Sequence, residues 1–86
     1  MTTSVEISIY PLKEDYKPSI IAFIKNLRNY PFIKVNTNGM STQVFGDYKR
    51  VMNAINTEME NTFLKSNSVV FNLKVINADL EEIPTF

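Results

Sequence analysis

Asn36-Thr37-Asn38-Gly39-Met40-Ser41-Thr42 gathers amides and hydroxyls where two apolar runs meet. Side chains of this kind, placed on a scaffold with apolar walls, can hold a flat, nitrogen-rich ligand by hydrogen bonds alone. They also make an ordinary turn: Asn-Gly between apolar runs predicts a hairpin with both turn residues at positive φ, and Ser and Thr cap turns and favour strands. A second polar stripe, Glu6, Ser8 and Tyr10, alternates with Val5, Ile7 and Ile9. It reads as a solvated or interfacial face, or as a partner set in which Glu6 balances a cationic ligand and Tyr10 stacks on it. Phe45, Phe71, Tyr10 and Tyr48 are the candidate aromatic walls, although aromatics at strand and helix spacing are more often core. Met40, Met52 and Met59 read as fillers of core gaps.

What is missing narrows the chemistry. The 86 residues include no histidine and no cysteine, so His/Cys zinc sites and Ser-His or Cys-His nucleophile pairs within one chain are excluded. Two glycines, Gly39 and Gly46, cannot make a glycine-rich phosphate cradle, and no Walker, dinucleotide-binding, EF-hand or nucleophile-elbow motif is present. Nine basic and nine acidic residues cancel, which argues against nucleic acid and against a polybasic membrane contact. No apolar run is long enough to span a membrane, no signal-peptide pattern opens the chain, and nothing calls for disulfides. The reading is a cytoplasmic, non-catalytic binding protein without metal or cofactor.

The elements that must position these residues follow from periodicity. Ser4 to Tyr10 alternates with period two and ends at Pro11, a strand. Asp15 offers an N-cap and Pro18 a first-turn residue for a helix whose stripe is Ile20, Phe23, Ile24 and Leu27, closed at Tyr30-Pro31. Phe32 to Thr37 and Ser41 to Phe45 are strands on either side of the turn. Gly46 breaks the second, and Asp47 caps a helix with the stripe Tyr48, Val51, Met52, Ile55, Met59 and Phe63; Arg50, Asn53, Glu58 and Glu60 fall mostly on its outer faces. Ser66-Asn67-Ser68 connects to Val69–Ile76, a strand rich enough in β-branched and aromatic residues for a central position. The acidic tail from about residue 77 reads as loose unless Ile83 and Phe86 dock.

The order βαββαβ predicts an α+β, ferredoxin-like sandwich over residues 1–86 as a single domain, a four-stranded antiparallel sheet with two helices on one face. The other face is left open. Because the last strand is apolar at nearly every position, a second copy of the chain is expected to cover it.

Ile7-Ser8-Ile9-Tyr10-Pro11-Leu12 with Asp15-Tyr16, followed by Met40-Ser41-Thr42-Gln43-Val44-Phe45-Gly46 and a helix from about Val51, resembles the thiamine-binding YkoF-like family in order and spacing from about Val5 to Val75. That resemblance implies a ferredoxin-like fold and a soluble binder of thiamine or its hydroxymethylpyrimidine part, in vitamin uptake or salvage. Members carry two domains in tandem or assemble single domains through their sheets, so it implies a homodimer or homotetramer here. By motif it points to Ser41 and Thr42, then Tyr10 and Ser8, with Asn38 just ahead of the pair; Glu6 and Phe71 complete the candidate ligand set. The alternative is a structural or regulatory homo-oligomeric domain with no ligand site.

Overall fold

The structure is a computed structural model; it describes residues 1–66, 68–82 and 84–85. The elements run β1 (Thr2–Pro11), α1 (Lys17–Arg28), β2 (Ile33–Thr37), β3 (Thr42–Asp47), α2 (Tyr48–Lys65) and β4 (Val69–Ile76). The strands form one antiparallel sheet in the order β2-β3-β1-β4. Its shortest dimension is 19 Å, the thickness of one helical layer on one sheet. The expected ferredoxin-like α+β sandwich is therefore what the chain adopts.

Period-two alternation sorts β1 between two environments. Val5, Ile7 and Ile9 point to the helices and are buried with Phe23, Ile24, Leu27, Val44, Val51, Ala54 and Ile55 in the core. Ser4, Glu6, Ser8 and Tyr10 point to the uncovered face. Register then sorts the other strands. Val5 pairs with Val44 and Val75, and Ile9 with Phe71, so Val44, Leu73 and Phe71 share the helix side. Glu6 pairs with Gln43 and Lys74, which share the open side.

β4 lies at an edge, not at the centre its composition suggested. Its apolar residues meet the helices on one side, while Val70 and Ile76 on the other side remain almost half exposed.

The ends of the elements have local causes. Asp47 accepts the Arg50 N–H at 3.4 Å and caps α2 as expected. Desolvation pushes its carboxyl up, but the Arg50 N–H and the Met1 ammonium outweigh this and hold it below the usual 3.8. α1 is not capped by Asp15: Tyr16 occupies the N-cap in a helical conformation without a side-chain bond, and the proline in the first turn sets the start. Gly46 has φ +153°, and a Cβ there would lie 3.0 Å from the Phe32 carbonyl oxygen and 3.3 Å from Val51 Cγ2. Only glycine lets β3 pass so close to the start of β2.

The tail is not loose over its described part. The Ser4 hydroxyl donates to the Ala78 carbonyl at 2.8 Å and accepts the Leu80 N–H at 2.9 Å. Glu81 then pairs with Lys34 on β2. The segment after β4 thus crosses the open sheet face from one edge strand to the other. Asn67 of the expected connector, and Ile83 and Phe86, on which docking was expected to depend, lie outside the described residues.

Candidate functional site

The β2–β3 hairpin forms where Asn38-Gly39 placed it, but by other means. Thr37 and Thr42 are the last pair, and residues 38–41 make a four-residue loop. Neither Asn38 nor Gly39 has positive φ. The Asn38 side chain closes the turn instead: its Oδ1 accepts the N–H groups of Met40 at 2.9 Å and Ser41 at 3.1 Å, while its own N–H donates to the Ser41 carbonyl at 3.1 Å. This is an Asx turn, in which a side-chain oxygen replaces a main-chain acceptor. It leaves the Asn38 amide nitrogen with both donors unused in the turn.

Beside this loop β3 stops short of β1. The last β1–β3 pair is Ile7 with Thr42, whereas β1 continues against β4 as far as Pro11. Past Ile7, β1 therefore has no strand on its β3 side among the described residues. Main-chain groups alternate between the two neighbours of a strand, so one of Ser8 and Ile9 aims its N–H and C=O into the gap. The gap is a recess of about 200 Å3 between the hairpin loop, β1 and the first turns of α1; Ser8, Asn38, Ser41 and Thr42 line it. Its apolar walls come from Ile9, Ile20 and Ile24.

The hydroxyls of the recess differ in availability. Thr42 is 3% exposed, faces the helix side and shares a 3.0 Å hydrogen bond with Thr37 Oγ1. One proton of that pair remains free to donate elsewhere. Ser41 is held by both its neighbours: its hydroxyl donates to Glu6 Oε2 at 2.8 Å and accepts from Gln43 Nε2 at 2.8 Å. Ser8 makes no side-chain hydrogen bond among the described residues, so its hydroxyl is the least committed.

Of the seven residues singled out by sequence, the recess gathers Ser8, Asn38, Ser41 and Thr42. Glu6 is joined to it through Ser41 but lies on the open face, 3.6 Å from Lys74 Nζ. Tyr10 is farther along β1, half exposed and outside the recess. Phe71 faces the opposite side of the sheet and cannot stack in a site with Glu6 and Tyr10. Its ring packs between Phe23 at 5.1 Å and Phe63 at 5.3 Å, the latter edge-on. Of the other aromatic walls considered, Phe45 lines a separate cleft of about 390 Å3 under Leu80 on the open face. Met40 fills no core gap: it is 91% exposed at the hairpin tip and lines the rim of the recess.

Sequence reasoning missed Ile20, Ile24 and Thr37. The two isoleucines belong to a regular helix stripe, and nothing in that stripe shows that its first turn overhangs the end of β3. Among the described residues no cluster of carboxylates is arranged to hold a metal ion, and no helix is long and apolar enough to cross a membrane.

No family profile and no curated protein matches the chain. Solved structures do. A hypothetical protein of Methanocaldococcus jannascii superposes with TM-score 0.79 at 24% identity, covering 98% of this chain and 88% of its own. A Thermotoga maritima protein, provisionally named for thiamine biosynthesis or salvage, superposes with TM-score 0.77 at 17% identity, covering 99% and 91%. A domain of unknown function, DUF77, from Bacillus cereus gives 0.75 at 9% identity, covering 99% and 84%. These likenesses establish a shared small fold.

Proposed function

We propose that the chain is a cytoplasmic, non-catalytic binding protein for a flat nitrogen heterocycle, best matched by the hydroxymethylpyrimidine part of thiamine, serving vitamin uptake or salvage. The observation that carries this reading is the recess at the end of β3. There an unpaired strand edge, with N–H and C=O side by side, adjoins the free Ser8 hydroxyl and the Asn38 amide. An aminopyrimidine presents a ring-nitrogen acceptor beside an amine donor, the complement of such an edge. Ile9, Ile20 and Ile24 supply apolar surface for the ring faces, in place of the aromatic stacking that Tyr10 and Phe71 do not provide. A volume of about 200 Å3 lies below the roughly 300–1,000 Å3 of pockets for drug-sized ligands, which favours one ring over the two rings of thiamine. The provisional name of the Thermotoga maritima structure agrees with this ligand class. No bond is made or broken in this scheme.

Ser8→Ala and Thr42→Val test the assignment. Each removes one hydroxyl and keeps the shape. Leaving a ligand group unpaired in the recess should weaken hydroxymethylpyrimidine binding by about 1–3 kcal/mol. Unchanged affinity in both variants would move the ligand elsewhere.

The open face favours a second element of the reading, assembly of copies through the sheet. Tyr10, Val70 and Ile76 stay near half exposed there, and light scattering of the purified protein reads the outcome directly. A monomer at all concentrations would remove it. If assembly persisted and neither ligand bound, the chain would be a structural or regulatory oligomeric domain.

A further inference from the structure

Glu58 was expected on an outer face of α2, and the structure buries it. It is 6% exposed and turned toward the end of α1. Its Oε2 accepts the Tyr30 phenol at 2.7 Å, and its Oε1 meets Asn61 Nδ2 at a long 3.4 Å. The ion pairs among the described residues are Met1–Asp47, Lys34–Glu81 and Lys74–Glu6, so no basic side chain reaches Glu58. A buried carboxylate is normally paired with a cation. This one also has acceptor capacity to spare, since a carboxylate offers about four lone-pair positions and only one is filled well.

The carboxylate borders an open depression of about 430 Å3 between the end of α1 and the middle of α2. Asn26, Asn29, Tyr30, Pro31 and Asn61 complete its lining. Three side-chain amides supply further carbonyl acceptors around a single negative charge. The field of that charge is already visible in its neighbour: hydrogen bonding to Glu58, with desolvation, raises the Tyr30 phenol above its ordinary 10.0, so Tyr30 stays a neutral donor in physiological conditions. The depression lies across α1 from the hairpin recess and shares no residue with it.

We propose that this depression is a second binding site, for a small organic cation with N–H donors: a guanidinium, amidinium or primary ammonium group. The cation pairs with Glu58 and donates to the Asn26, Asn29 and Asn61 carbonyl oxygens, while Tyr30 holds the carboxylate in place. Guanidinium suits the geometry best, because its planar fork meets a carboxylate with two donors.

The test is a titration of the isotopically labelled whole chain with methylguanidinium chloride, followed by NMR. Tetramethylammonium chloride, equally charged but without donors, is the control. Saturable shifts confined to the Asn26, Asn29 and Asn61 side-chain amides and the backbone around Glu58, absent with the control, are the expected result. Glu58→Gln should weaken the response on the order of tenfold or more. Shifts that match the control, or stay unchanged in Glu58→Gln, would overturn the proposal. Should that variant not fold, the pattern of shifts in the wild-type protein decides alone. An acetylated arginine amide then distinguishes sources: equal binding identifies a protein side chain as the cation, and binding of methylguanidinium alone identifies a free small molecule. The hairpin resonances, residues 37–42, stay still in every case, so failure here leaves the heterocycle reading untouched.

Discussion

One strand, β1, faces two environments, and they are held by different forces. Val5, Ile7 and Ile9 sit under the helices, where shape and apolar burial do the work. Ser4, Glu6 and Ser8 lie on the open side, where long-range hydrogen bonds tie Ser4 to the tail and Glu6 to Ser41. The covered face tolerates little change of volume. The open face keeps the charges of Glu6 and Lys74 near solvent, where they can exchange partners, while Ser4, tied to the tail, is buried. The proposed heterocycle site falls where β3 ends and these two environments meet, with apolar walls from one and polar groups from the other.

Leu27→Ala attacks the covered face at a fully buried position and should cost about 2–5 kcal/mol in urea unfolding. A loss under about 1 kcal/mol would mean that this layer collapses around the change. Gly46→Ala comes next, at about 1–3 kcal/mol, because φ +153° and the Phe32 carbonyl leave no place for a Cβ. On the open face Ser4→Ala should cost only about 1 kcal/mol, yet it should speed proteolysis within residues 77–82, since Ser4 makes two of the tail's anchoring bonds. Equal cleavage rates would show that Ser4 does not anchor the tail.

Alkaline pH probes the Tyr30–Glu58 contact. Tyr30 has its value raised in the folded state, so its contribution is complete below pH 10.0 and is lost as pH rises through the raised value. Ultraviolet absorbance should show Tyr30 ionising above pH 10.0, and Glu58→Gln should lower the pH at which it does so. The smallest effect belongs to Gln43→Ala, about 0.5 kcal/mol, as expected for a partly buried open-face residue that loses one side-chain hydrogen bond, to Ser41.

The element order was legible because each run keeps one period: two in β1, 3.6 in the helices. Gly46 and Asp47 marked the β3–α2 boundary through backbone freedom and capping, both local properties. What the sequence hid depends on partners far along the chain. In β4 the run Phe71-Asn72-Leu73-Lys74-Val75 does alternate, but apolar Val70 and Ile76 on the same side as Asn72 and Lys74 masked that phase; pairing of Ile9 with Phe71 turns the ring to the helices. Glu58 lies seven residues after Val51 and three after Ile55, on the buried stripe with Ala54 and Thr62, but its charge disguised the position. Its partner Tyr30 is 28 residues away. The tail has no period at all, and its anchor Ser4 belongs to the opposite end of the chain. The site was half legible: Asn38, Ser41, Thr42 and Ser8 cluster, whereas the gap that makes them a recess depends on β3 being shorter than β1.

The most direct test is a calorimetric titration of the folded protein with hydroxymethylpyrimidine and, separately, with thiamine. Saturable heat at micromolar or tighter affinity for the pyrimidine, with thiamine weaker, is the predicted result. No heat with either ligand would contradict a heterocycle site at the hairpin.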